Sequence, residues 1–197
     1  MNVAGGETGD LLRRAREGSR EALGLLLGGC GARLLALIRL RLGPALRQRV
    51  DSRDVLQATL LKALLHLDGF RGEHRESLMA WLSRIAENEI RDAADFHHRQ
   101  RRDAAQTVAL GGAAELDRLA AGVRSQTSRI ALDERRTRLL AAVEELSPEH
   151  REVIVLRELE ELPFAEVGAR MGRSADACRM LLARALARLT VTMGASG

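Results

Sequence analysis

Tyrosine is absent from this chain, and the aromatic side chains are three phenylalanines and one tryptophan. A core with so few rings must be filled by Leu, Ala, Val and Ile. That favours packed helices over sheets, which draw more on aromatic and β-branched residues. Only two cysteines occur, Cys30 and Cys178. They are far apart, and neither a CxxC nor a Cys/His spacing for zinc is present, so two free thiols in a reducing cytoplasm are expected. Long apolar runs are missing as well. The stretch at 34–38 is flanked by arginines and far too short to cross a bilayer. The opening MNVAGGETGD has no basic segment followed by an apolar one, so neither a signal peptide nor membrane insertion is expected. Clustered carboxylates and metal-ligand spacings are also lacking. That argues against a metal-dependent nucleic-acid enzyme, and no metal or cofactor is expected.

Lysine is nearly absent too. Lys62 is the only one among 31 lysines and arginines. Arginine suits bidentate phosphate contact, although a GC-rich genome accounts for the bias more simply. The net charge of +4 and a pI near 10.2 suit a polyanionic partner without proving one.

Apolar residues recur at helical spacing along most of the chain. Leu11, Leu12, Ala15, Ala22, Leu23, Leu26 and Leu27 form one series, and Leu34, Leu35, Leu37, Ile38 and Leu42 another that stops at Gly43-Pro44. A helix starting at Asp51 or Ser52, both good N-caps, carries Val55, Leu56, Leu60, Leu64 and Leu67. Residues 70–77 read as a loop, with Ser77 capping a helix that holds Leu78, Trp81, Leu82, Ile85 and Ile90. The spacing of Trp81 places it in the core. Residues 103–135 have weak periodicity and glycine breakers, as a linker does. Beyond it, Ser147-Pro148 opens a helix, with proline at its first position. Pro163 opens a short one over 164–171, Gly172 turns the chain, and Ser174 caps a last helix with the stripe Cys178, Leu182, Ala185 and Leu189. The architecture expected is all-α, two helical domains joined by a flexible linker. The boundaries are a disordered N-terminus at 1–9, domains at 10–102 and 136–190, the linker at 103–135 and a tail at 191–197.

A short helix, a glycine turn and a longer capped helix bearing arginines follow the logic of a helix-turn-helix. Val167 and Met171 would pack the first helix on the second, and Cys178 and Leu182 would face inward. Arg173, Arg179, Arg184 and Arg188 stay outside, where they can meet phosphates or base edges. The plain alternative is a helical hairpin with a solvated arginine face. The cluster Glu158, Glu160 and Glu161 reads as a solvated face. His97-His98 reads as a solvated or phosphate-facing pair, because adjacent histidines do not share a helix face.

The run LSPEHREVIVLR at 146–157 and then EELPFAEV at 160–167 resemble region 4 of the extracytoplasmic-function sigma factors of bacterial RNA polymerase, in the sigma-70 family. The run DSRDVLQATLLKA at 51–63 resembles that family's region 2 pattern DxxDLVQETFLxA. LLRRAREGSREAL at 11–23 and WLxRIA from Trp81, followed by Asn88 and Arg91-Asp92, resemble further parts of region 2. The resemblance covers nearly everything from 10 to 102 and from 136 to 190, with both halves in the right order.

This resemblance implies a sigma factor that binds core RNA polymerase and directs promoter recognition, DNA melting and transcription initiation in the cytoplasm. Asp51, Asp54, Gln57 and Thr59 would meet the clamp of the largest polymerase subunit. Phe70, Arg71, Asn88, Arg91, Arg99, Arg101 and Arg102 would meet the minus-ten element, where a base is extruded and single-strand phosphates are held. Arg173, Ser174, Arg179, Met180 and Arg184 would meet the minus-thirty-five element. The flap of the second-largest subunit and promoter DNA complete the implied partners, and an anti-sigma factor on another chain stays open. Ala58 stands where the family often has glutamate. Met180 and Leu181 stand where it often has serine and arginine, which leaves three options: fewer bases read by hydrogen bonding, apolar contact with a thymine methyl, or use of this surface for a protein partner. The resemblance also implies that the chain is no enzyme and has no catalytic residue, since polymerase does the chemistry. The other readings are a helix-turn-helix regulator that acts without polymerase, a sigma-like polymerase-binding protein that reads no promoter, and a metal-dependent nucleic-acid enzyme, which no clustered carboxylates or ligand spacing support.

Overall fold

The structure is a computed structural model that describes residues 3–70, 75–100 and 134–195. The chain divides into two compact units, with the division after Ile130. Among the described residues every regular element is helical. The first unit contains α1 (Val3–Arg16), α2 (Arg20–Arg47), α3 (Ser52–Leu65) and α4 (Arg75–Gln100). The second contains α5 (Glu134–Glu144), α6 (Pro148–Ile154), α7 (Phe164–Met171) and α8 (Ala175–Ala195).

Local chemistry sets the boundaries in the first unit. Gly18, at φ 89°, ends α1, and Ser19 caps α2 by accepting from the Ala22 amide at 3.3 Å. This glycine–serine pair divides the leucine series at 11–27, which periodicity alone runs together. At Gly43 the backbone leaves helical geometry, with φ 65° and ψ 169°, and Pro44 follows. The helix ladder resumes to Arg47, whose guanidinium donates to the Arg39 carbonyl at 2.7 Å across the kink. Asp51 caps α3, its Oδ1 accepting from the Arg53 amide at 2.8 Å.

α2 packs against α1, α3 and α4. By length and composition it could cross a membrane, yet half of that apolar stretch is buried within the protein. Its Leu34, Leu37 and Ile38 are wholly enclosed, as are Leu56 and Leu60 of α3 and Met79 of α4. Burying each such side chain contributes roughly 1.5–3 kcal/mol.

Several sequence-based boundaries shift. Helix α1 begins at Val3, so residues 3–9 are helical where disorder was expected. α4 begins at Arg75, so Ser77 lies inside the helix and does not cap it, and the expected loop is shortened to end before Arg75. Residues 71–74 of that loop lie outside the described residues. So do residues 103–133 of the expected linker, while Glu134 and Arg135 already belong to α5. The expected tail at 191–197 is helical as far as Ala195.

In the second unit Arg151 donates to the Glu144 and Leu146 carbonyls and so closes the end of α5. α6 widens into a π-helical turn over Val155–Leu159, and Glu161 follows with φ 59°. Gly172 takes the left-handed conformation, φ 64° and ψ 34°, that turns α7 toward α8. Ser174 caps α8, its hydroxyl accepting from the Ala177 amide at 3.1 Å. The stripe Cys178, Leu182, Ala185 and Leu189 is buried as its spacing predicts. Neither cysteine forms a disulfide, and both are buried.

Gly168 was not singled out by pattern, yet the turn depends on it. A Cβ there would lie 2.6 Å from the Arg173 carbonyl oxygen, which is backbone and cannot swing aside. Gly168→Ala should therefore destabilise the second unit by about 2 kcal/mol. Urea unfolding of the full chain followed by circular dichroism measures this, and the first unit's transition should stay in place.

Candidate nucleic-acid interface

α8 owes its exposed face to its buried one. Once Cys178, Leu181, Leu182, Ala185 and Leu189 turn inward, the helical period leaves Arg179, Met180, Arg184 and Arg188 outside. Met180 is 58% exposed. Leu181, next to Met180 in sequence, is buried. It is apolar because it packs on the core.

Two arginines near this surface share one ring. The Arg157 guanidinium lies 4.9 Å from the Phe164 ring centre and that of Arg179 lies 5.1 Å from it. Arg157 also donates to the Leu162 carbonyl at 2.8 Å, and Arg179 pairs with Asp176 one turn earlier. A ring face that attracts cations thus offsets the repulsion between two like charges. Arg173 pairs with Glu149 at 2.6 Å across the turn. Ser174 spends its hydroxyl as the N-cap. Arg184 is exposed. Arg157 and Phe164 escaped sequence reasoning because the contact joins residues with no helical periodicity between them.

Glu160 overturns the reading of the acidic cluster as a solvated face. It is 0% exposed, and its carboxylate accepts from Arg170 on α7 at 2.7 Å. Arg170 also stands 3.6 Å from Glu166. A buried carboxylate is tolerated only when paired and hydrogen-bonded, so this pair pins α7 to the turn that precedes it.

In the first unit, Asp54 is exposed and Gln57 half-buried, one turn apart on one face of α3, with exposed Leu65 further along it. Asp51 is exposed but serves as the cap. Thr59 is 0% exposed and its hydroxyl donates to the Val55 carbonyl at 2.7 Å. In this structure it packs α3. Phe70 is buried as well. It is 4% exposed, with its ring 5.0 Å from that of Trp81 and the Arg16 guanidinium 5.9 Å away. Arg16 also donates to the Phe70 carbonyl. Phe70 is apolar because it joins the ends of α1 and α4.

Asn88 and Arg91 are exposed on α4, the Arg91 guanidinium donating to Asn88 Oδ1 at 3.3 Å. Lys62 of α3 reaches the same helix. It pairs with Glu89, and its Nζ lies 3.7 Å from Asp92 Oδ2. The hydrogen bond to Glu89 holds the ammonium protonated above the usual lysine range, against partial desolvation that acts the other way. Arg71, Arg101 and Arg102 lie outside the described residues, as do the side chains of Arg99, His97 and His98. Among the described residues no group of three or more His, Cys, Asp or Glu could hold a metal ion.

The structure thus places two candidate surfaces on the first unit, one on α3 and one on α4, and an arginine-bearing helix-turn-helix on the second. Comparison with known proteins gives both units the same kind of match. Residues 31–104 match the family described as Sigma-70 region 2, and residues 136–189 match Sigma-70, region 4. The RNA polymerase sigma factor CarQ of Myxococcus xanthus is 30% identical over 187 residues, covering 93% of this chain and 95% of that protein. The ECF RNA polymerase sigma factor SigD of Mycobacterium tuberculosis is 28% identical over 197 residues, covering 100% of this chain and 89% of that one. Among solved structures, CnrH in complex with the cytosolic domain of CnrY is similar at 26% identity and a TM-score of 0.51, covering 97% of this chain and 99% of that one.

Arg170→Ala should remove the ion pair that compensates the buried Glu160 carboxylate and cost about 2–3 kcal/mol, somewhat less than for a fully enclosed pair because Arg170 is partly exposed. Adding Glu160→Gln should recover part of the loss. Urea denaturation of the wild type, single and double variants measures both.

Proposed function

The chain belongs to the RNA polymerase sigma factors of the extracytoplasmic-function kind, and we propose that it divides that family's work among the surfaces described above. It is a promoter-recognition factor for transcription initiation. In this reading Asp54 and Gln57 on α3 meet the clamp of the largest polymerase subunit. Asn88 and Arg91 on α4 meet the minus-ten element, together with the arginines at 99, 101 and 102. Arg179, Met180 and Arg184 on α8 meet the minus-thirty-five element, while Asp51, Ser174 and Arg173 hold the elements that present them. The flap of the second-largest subunit is the proposed seat of the second unit.

One observation carries the reading. A single chain bears, in order, the exposed Asp54–Gln57 face of α3, the polar face of α4 and a capped helix-turn-helix. A regulator acting without polymerase has no use for the first of these. The exposed Met180 favours reading by apolar contact with a thymine methyl. The protein performs no covalent chemistry in this account. Polymerase makes the bonds, and this chain supplies binding energy that positions polymerase and favours open DNA. The proposed compartment is the cytoplasm, where polymerase works. CnrH was solved in complex with the cytosolic domain of CnrY, which supports a protein partner of the anti-sigma kind for this chain also.

Two pairs of substitutions test the division of labour. Asp54→Ala with Gln57→Ala should weaken capture of core polymerase at least ten-fold, the effect of about 1.4 kcal/mol, while leaving the fold unchanged by circular dichroism. Arg179→Ala with Arg184→Ala should leave polymerase capture intact and weaken promoter binding. The salt dependence of promoter binding should then fall by roughly one unit of slope for each lost phosphate contact. Loss of polymerase capture in the arginine variants would overturn the assignment of the two units.

A further inference from the structure

Lys62 is the only lysine of the chain, and it sits on the helix assigned to polymerase with its ammonium directed at the helix assigned to DNA. Between Arg84 and Phe96, α4 carries Glu87, Glu89, Asp92 and Asp95 against Arg84 and Arg91. That stretch is net negative, an unexpected balance for a helix that meets phosphates. Helical spacing places Asp92 on the same outward face as Asn88 and Arg91. A carboxylate there would repel a phosphate as strongly as a neighbouring arginine attracts it.

Neighbouring helices supply the missing charge. Lys62 pairs with Glu89 and stands 3.7 Å from Asp92, and Arg41 of α2 stands 3.7 Å from Glu87. Lys62 and Asp92 are well exposed, so that pair contributes little to stability, whereas the Glu89 side chain is only 11% exposed and leans on Lys62 for compensation. The consequence of these pairs lies in the field over the α4 face. Lysine fits the position in a chain that otherwise uses arginine. An ammonium is a compact point charge on a flexible stem, with three donors that can turn toward either carboxylate.

We propose that Lys62 is a positioning residue for promoter binding, holding and neutralising the carboxylates of Glu89 and Asp92 so that Asn88 and Arg91 can approach DNA. This rests on the reading of α4 as the minus-ten helix. Lys62 touches no DNA itself. It acts through the two carboxylates, and removing them removes the need for it.

The test uses the full-length protein assembled with core polymerase and a promoter duplex selected with the wild-type holoenzyme. Promoter affinity is measured against salt concentration for the wild type, Lys62→Gln, Lys62→Arg, and Lys62→Gln combined with Glu89→Gln and Asp92→Asn. Lys62→Gln should weaken promoter binding by about five-fold at low salt, and the deficit should shrink as salt screens the exposed Asp92 carboxylate. Lys62→Arg should recover much of the loss, and the triple variant should recover nearly all of it. Core polymerase capture should be equal for all four, which also reports that each is folded. Lys62→Gln matching the wild type at every salt concentration overturns the proposal, as does a loss that the triple variant fails to reverse. A wild-type holoenzyme that engages no promoter overturns the functional reading of α4 and this proposal with it. Normal wild-type engagement with an unaffected Lys62→Gln overturns this proposal alone.

Discussion

Leucine packing along α2 is the constraint on which the first unit depends. α2 lies against α1, α3 and α4, and its Leu34, Leu37 and Ile38 are wholly buried. With almost no aromatic residues to fill space, the core relies on many branched aliphatic side chains at helical spacing. The orientation of α3 is fixed by Leu56 and Leu60, and that of α4 by Met79 and Leu82. The faces opposite those residues are the ones left for partners. Asp54 and Gln57 point outward because Val55, Leu56, Thr59 and Leu60 point inward. The function-bearing residues are thus set by packing before any partner arrives.

The same logic separates residues that read from residues that hold. Thr59 and Phe70 stand in motifs that resemble functional ones, yet both are buried and satisfied internally. Ser174 and Asp51 cap helices. Each helps to position a surface through contacts within the chain. Arg157 and Phe164 are the reverse case. Neither lies on α8, but their stack with Arg179 restricts where that guanidinium can go. Reducing the freedom of a side chain before binding lowers the entropy that binding must overcome.

Much of the architecture was legible in the sequence, because helical period, caps and glycine turns are local signals. The stripe Cys178, Leu182, Ala185 and Leu189, the cap at Asp51 and the left-handed turn at Gly172 all follow from residues within a few positions of one another. Legibility failed where the deciding partner was distant in sequence or hidden in backbone geometry. Three adjacent-looking glutamates read as solvated, but the π-helical turn carries Glu160 under α7 to meet Arg170. Gly168 gave no signal because its constraint is an approach by the Arg173 carbonyl, which only the folded turn creates. Phe70 looked available because it begins a loop, and its contacts with Arg16 and Trp81 come from two other segments.

Charge shows the same dependence on tertiary structure. Summed along the chain, a net charge of +4 is a weak argument for a polyanionic partner, and α4 taken alone argues against one. Only the packing of α3 and α2 against α4 brings Lys62 and Arg41 to carboxylates of that helix, of which Asp92 is the exposed one. The charge that α4 presents is therefore set not by its composition alone but by a surface assembled from three helices. A carboxylate on such a surface can be retained when a cation on a neighbouring helix compensates it. Under the proposed assignment, polymerase binding and promoter binding would then share a structural element, and a disturbance of α3 on one side would have a route, through a single lysine, to the field on the other.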